Sequence, residues 1–245
     1  MSEAVTASAR ERAAPRRWTF ERLCAAAGIG HAVLIATFFV NQISHGQTPR
    51  PDATQESIAK YFDENRYAIL ANYLIFVAAL ICFCFWLPAL WRLLRDAEGG
   101  ASFVSTVVLV GGIVGIALSL NQIGYWTATA NRADKGVDPS LASVMFDMGT
   151  LFFTAWVGLM VMLVGTAVII FRSGIFPRWL GKWAAVIAIL FLIAAPQTPG
   201  PAIYWILTFD LPALLAFWAF VIWQILISLR MIKLEPSAST APRAL

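Results

Sequence analysis

Between Tyr67 and Leu90 no side chain carries a charge, and the same is true of residues 103–131, 148–171, 183–209 and 211–229. A hydrocarbon core takes about 20 apolar residues to cross as a helix. Inside it every backbone N–H and C=O must be satisfied within the protein, which restricts a spanning chain to helices or a closed barrel. Charged residues make up 13% of the 245 residues, against about 25% in a soluble domain. The deficit is concentrated in these runs, which identifies a polytopic membrane protein and makes the lipid bilayer its first partner.

Six apolar segments follow, at about 23–44, 67–90, 103–128, 144–171, 179–195 and 202–229. The expected fold is therefore all-α, a polytopic transmembrane bundle of six spans across residues 23–233. The fifth segment is clipped by Pro196, Pro199 and Pro201, which forbid a regular helix and mark a reversal. Residues 1–22 and 234–245 are rich in Ala, Ser, Pro and charge, and are expected to be disordered tails. No cleavable signal peptide is expected, because the first 22 residues are polar and the run after them is too long for one.

Orientation follows from Lys and Arg. With the N-terminus in the cytoplasm, thirteen of the eighteen fall inside and five outside (Arg50, Lys60, Arg66, Arg132 and Lys135). That bias places both termini in the cytoplasm of a multi-pass cell-membrane protein. It also accounts for the net charge of +4 without nucleic acid as a partner. The outer segment 45–66 is expected to hold an amphipathic helix with Ile58, Tyr61 and Phe62 on one face and an Asp cap, lying on the membrane or lidding the bundle.

Two stretches carry a resemblance: "SIAKYFDENRYAILANYLIFVAALICFCFWLPALWRLLRDAEGG" and "IIFRSGIFPRWLGKWAAV". Together they resemble a family of bacterial, actinobacterial-type, six-helix integral membrane proteins of unknown function. In that family a YxxxNR segment, here Tyr61, Asn65 and Arg66, precedes the second span. A turn of the second kind links the fourth and fifth spans. The resemblance implies architecture, and no catalytic residue carries over from it. The turn also has its own logic: Arg172 suits a helix C-terminus, Gly174 a left-handed cap and Pro177 a helix start, with Arg178 and Trp179 at headgroup level.

Polar side chains inside spans are costly in lipid, and here they share one depth. Asn41 and Gln42 lie near the outer end of the first span, Asn72 of the second, and Asn121, Gln122 and Tyr125 of the third. Asp147 opens the fourth, while Tyr204, Thr208 and Asp210 occupy the outer half of the sixth. A shared depth points to an outward-facing pocket for a small lipophilic molecule, with Asn41, Gln42, Asn72, Asn121, Gln122, Tyr125, Tyr204 and Asp210 as its ligand-binding residues. An enzyme of cyclase or isomerase type would use Asp210, with Asp147, as acid and base. A proton-coupled transporter would use Asp210 as carrier.

Blander roles stand beside these. Asp210 could pair with Arg66, Arg132 or Lys135, and Asp147 could cap its helix. Pro212 would free the carbonyl of Thr208. His31 reads as a buried hydrogen-bonded histidine or a proton handler. His31 and His45, on one helix some 21 Å apart at 1.5 Å per residue, cannot share a metal, so neither metal nor cofactor is expected. Cys82 and Cys84 point about 200° apart and cannot bridge. Gly111 and Gly115 form a GxxxG serving contacts within the bundle or a homo-oligomer.

Overall fold

The computed structural model describes residues 19–44, 48–49, 53–100, 103–150, 153–194 and 211–234. Among them are eight α-helices: α1 Phe20–Ser44, α2 Gln55–Glu64, α3 Arg66–Ala97, α4 Phe103–Arg132, α5 Pro139–Thr150, α6 Phe153–Ser173, α7 Arg178–Ala194 and α8 Leu211–Lys233. A 3-10 turn, Ala133–Lys135, follows α4. Five helices are long and apolar enough to cross a membrane, namely α1, α3, α4, α6 and α8. At 17 residues, α7 falls short of these five but is longer than α2 and α5.

Six helices form a closed ring in which α1 packs on α3, α3 on α4, α4 on α6, α6 on α7, α7 on α8 and α8 back on α1. Neighbours run antiparallel. On α1 and α8, for example, Gly28 faces Ser228, His31 meets Gln224, and the Phe39 and Phe217 rings meet at a 34° tilt, 3.7 Å between centroids. The ring thus has a lid end, where α1 stops at Ser44 and α8 starts at Leu211, and a tail end near Phe20 and Lys233. Trp86 and Trp223 fill its interior with no exposure, edge to face at 6.4 Å. Its outer surface is apolar, with Val33, Leu74, Ile81, Val110, Ile189 and Leu192 all more than half exposed. A soluble protein does not present such a belt.

Glycine sets the closest approach. A Cβ on Gly158 would stand 2.4 Å from the backbone nitrogen of Gly115 and 2.6 Å from the carbonyl oxygen of Gly111. The GxxxG of α4 is therefore spent on α6 within the chain. A homo-oligomer, if one forms, has to use another surface.

The lid end carries a small layer of its own. α2 buries Ile58, Tyr61 and Phe62, the face its sequence spacing marks out, against Trp126 of α4 and Phe146 of α5. Phe62 and Trp126 meet edge to face at 6.0 Å, and Trp126 stacks on Phe146 at 5.4 Å. Its N-cap is Thr54, whose hydroxyl accepts the Ser57 N–H at 3.3 Å, and not an aspartate. Arg66 at the head of α3 reaches Asp134 beyond α4 at 2.7 Å.

Within and just ahead of the expected fourth span, Pro139–Thr150 is helical as α5, packed against α2 and α4, and α6 begins at Phe153, with residues 151–152 outside the described residues. Asp138 caps α5, accepting the Ser140 N–H at 2.8 Å and the Leu141 N–H at 3.3 Å. Asp147, nine positions into that 12-residue helix, does not cap it. At the tail end, Gly174 takes the left-handed conformation expected (φ +68°), and the next helix starts after Pro177.

Candidate functional site

Three of the expected polar residues come together at the lid end. Asn41 on α1 donates through Nδ2 to Oδ1 of Asn72 on α3. Asn72 in turn donates through Nδ2 to Oε1 of Gln42 at 2.9 Å. Gln42 passes the chain outward, its Nε2 donating to the Tyr61 hydroxyl at 3.0 Å and to Thr48 at 3.3 Å. Tyr61 belongs to α2, so the network runs from two helices of the ring into the helix that covers it. Burial pushes the Tyr61 phenol up, against the opposing pull of its bonds to Thr48 and Gln42, so it stays protonated through the neutral range.

The remaining candidates separate. Asn121 faces outward on α4, while Gln122 beside it is buried at 3% exposure. Tyr125 is half-buried, and its carbonyl accepts the Thr129 hydroxyl at 2.9 Å. Asp147 is exposed on α5. Tyr204, Thr208 and Asp210, and the side chains of Thr150 and Thr154, lie outside the described residues. The acid–base and proton-carrier readings both lean on Asp210 and so gain no geometry here. Of its three suggested partners, Arg66 is already paired with Asp134. Pro212 lies in α8, while Thr208, whose carbonyl it is expected to free, lies outside the described residues.

A second polar centre lies deeper, toward the tail end. Nδ1–H of His31 donates to Oε1 of Gln224 at 2.7 Å, linking α1 to α8. Both side chains are enclosed, at 5% and 0% exposure, and Phe83 of α3 presents its ring edge-on to the imidazole at 4.9 Å. His31 is about 16 Å along α1 at 1.5 Å per residue, near mid-helix. Its contact with Gln224 was recoverable in principle, since two lone polar side chains in one half of a membrane bundle need partners. Trp86 and Ser228, which complete this centre, offer no such signal because tryptophan and serine are ordinary packing residues in helices.

Near the tail end Glu98 closes the turn between α3 and α4, accepting the Val104 and Ser105 N–H groups at 3.0 and 2.9 Å. Burial would raise its carboxyl, but hydrogen bonds from Ser105 and Val104, together with Arg172, hold it below the usual carboxylate range. Glu98, Ile169 and Arg172 line a cleft of about 260 Å³. Among the described residues no group of three His, Cys, Asp or Glu side chains could hold a metal.

The family model for a domain of unknown function, DUF4386, matches residues 21–227. The chain belongs to that family. The match starts in the first turn of α1 and ends within α8, so the DUF4386 unit is the closed ring with its lid layer. The Asn41–Asn72–Gln42–Tyr61 network and the His31–Gln224 pair fall inside it, with Ser228 one position past its end. No curated protein and no solved structure matches the chain.

Proposed function

We propose that this DUF4386 protein is a six-span protein of the bacterial cell membrane, with both termini cytoplasmic. In this reading its lid end faces outward and shapes a polar pocket that binds or passes a small lipophilic molecule. The observation that carries the reading is the hydrogen-bonded chain Asn41–Asn72–Gln42–Tyr61, which joins two ring helices to α2 at one depth. A helix latched by amides and a phenol over the mouth of a bundle is a natural gate for a ligand arriving from the outer leaflet.

Supporting a count of six, the fifth span α7 is about 26 Å long at 1.5 Å per residue, close to the roughly 30 Å of a hydrocarbon core. Arg178, Trp179 and Lys182 at its start suit the headgroup layer. The positive-inside bias supports the orientation. Mass spectrometry of small molecules co-purified with the full chain tests the function. Wild type is expected to carry a defined lipophile near one per chain, and a folded Asn72→Leu variant to lose it. Only bulk phospholipid, equal in both, would overturn the reading.

A further inference from the structure

Three buried polar atoms beside the His31–Gln224 pair make no hydrogen bond: Nε1 of Trp86, Oγ of Ser228 and Nε2 of Gln224. Their residues are fully enclosed, each at 0% exposure. Two of the three converge on one point of α1. A methyl carbon on Gly28 would stand 2.2 Å from Ser228 Oγ and 2.5 Å from Trp86 Nε1. Any side chain at Gly28 would overlap both groups, so glycine is what lets Trp86 of α3 and Ser228 of α8 approach α1 at one place.

Ser228 is also turned in an unusual direction. Along the other helices Ser119, Thr127, Thr129, Thr166 and Ser173 donate to the carbonyl four residues back. Ser228 has no such bond and instead aims its hydroxyl at Gly28. The chemistry of the group is biased, because an indole N–H and an amide NH₂ only donate, while a hydroxyl does either. Buried donors of this kind are ordinarily met by protein or by an ordered water. What fits is a neutral oxygen with two lone pairs.

We infer that α1, α3 and α8 enclose a binding site for one uncharged oxygen, supplied by a water molecule or by the hydroxyl or carbonyl end of a small lipophilic molecule. Trp86 and Ser228 hold that oxygen, one helical turn on from the His31–Gln224 bond along the α1–α8 seam. The site lies toward the tail end, apart from the Asn41–Asn72–Gln42 network, and does not depend on it.

A structure of the full chain in lipid nanodiscs, at a resolution that shows ordered water, tests this. The expected result is density within hydrogen-bond distance of both Trp86 Nε1 and Ser228 Oγ. A round peak identifies water and an elongated one a lipophile, and either supports the site. Gly28→Ala should expel that density, and where this variant does not fold, Ser228→Ala should weaken it. Absence of density in the wild type, with the Trp86 indole donating directly to Ser228, would overturn the inference. So would density that Ser228→Ala leaves unchanged.

Discussion

His31 on the first helix of the ring and Gln224 on the last are joined by a buried hydrogen bond of 2.7 Å. The two residues are 193 positions apart, so this contact closes the ring. Interhelical hydrogen bonds in membranes average about 0.6 kcal/mol, with about 1.7 at most. Removing one partner strands the other and costs about 1–3 kcal/mol.

That gives a double-mutant cycle. His31→Phe and Gln224→Leu should each lower the thermal midpoint in detergent, and the double variant should lose less than the two singles together. Additive losses would mean that the pair carries no coupling.

Gly158 and Gly124 make opposite predictions about helix packing. A Cβ on Gly158 would press on the backbone of Gly115 and Gly111, while one on Gly124 meets nothing within 4 Å. Gly158→Ala should destabilise by more than about 1 kcal/mol, the range for forced overpacking. Gly124→Ala should be neutral or stabilise by about 0.5–1 kcal/mol, because alanine is the better helix former. Thermal unfolding of the two purified variants checks both.

Tyr61→Phe tests the latch on α2. Phenylalanine keeps the packing on Trp126 but loses the bond from Gln42, at a cost of about 0.5–1.5 kcal/mol. Amide exchange across Gln55–Glu64 should quicken, with α6 and α7 unchanged. Unchanged exchange on α2 would show that apolar packing alone holds it.

The cap of α5 gives a pH dependence. Hydrogen bonds from the Ser140 hydroxyl and from the Ser140 and Leu141 N–H groups hold the Asp138 carboxyl below its ordinary value. A carboxyl depressed by folding stabilises above its unfolded pKa, and that contribution fades as pH falls through the folded value. Protection at the start of α5, that is exchange measured relative to the intrinsic rate at each pH, should therefore fall on acidification in wild type. Asp138→Ala should show the low protection at every pH.

Much of this organisation follows directly from the residues. Charge-free runs mark the helices of the ring, Ile58, Tyr61 and Phe62 mark the buried face of α2, and Gly174 marks its turn. The grouping of polar residues was only half visible: depth along a helix can be counted, but direction around it depends on neighbours. Asn41, Gln42 and Asn72 meet, whereas Asn121 and Gln122, adjacent in sequence, point to opposite environments. Trp86 and Ser228 became notable only once Gly28 was seen to face them.

Sidedness of the lid end is the claim on which the proposed pocket rests, and Asp210, immediately before α8, is the place to probe it. Cys24, Cys82 and Cys84 are free thiols, so they are first replaced by alanine. Asp210→Cys in that background is then treated on intact cells with a membrane-impermeant maleimide. The account predicts labelling from outside without permeabilisation, and protection by whatever lipophile co-purifies with the wild type. Labelling that appears only after the cytoplasmic face is opened would contradict it.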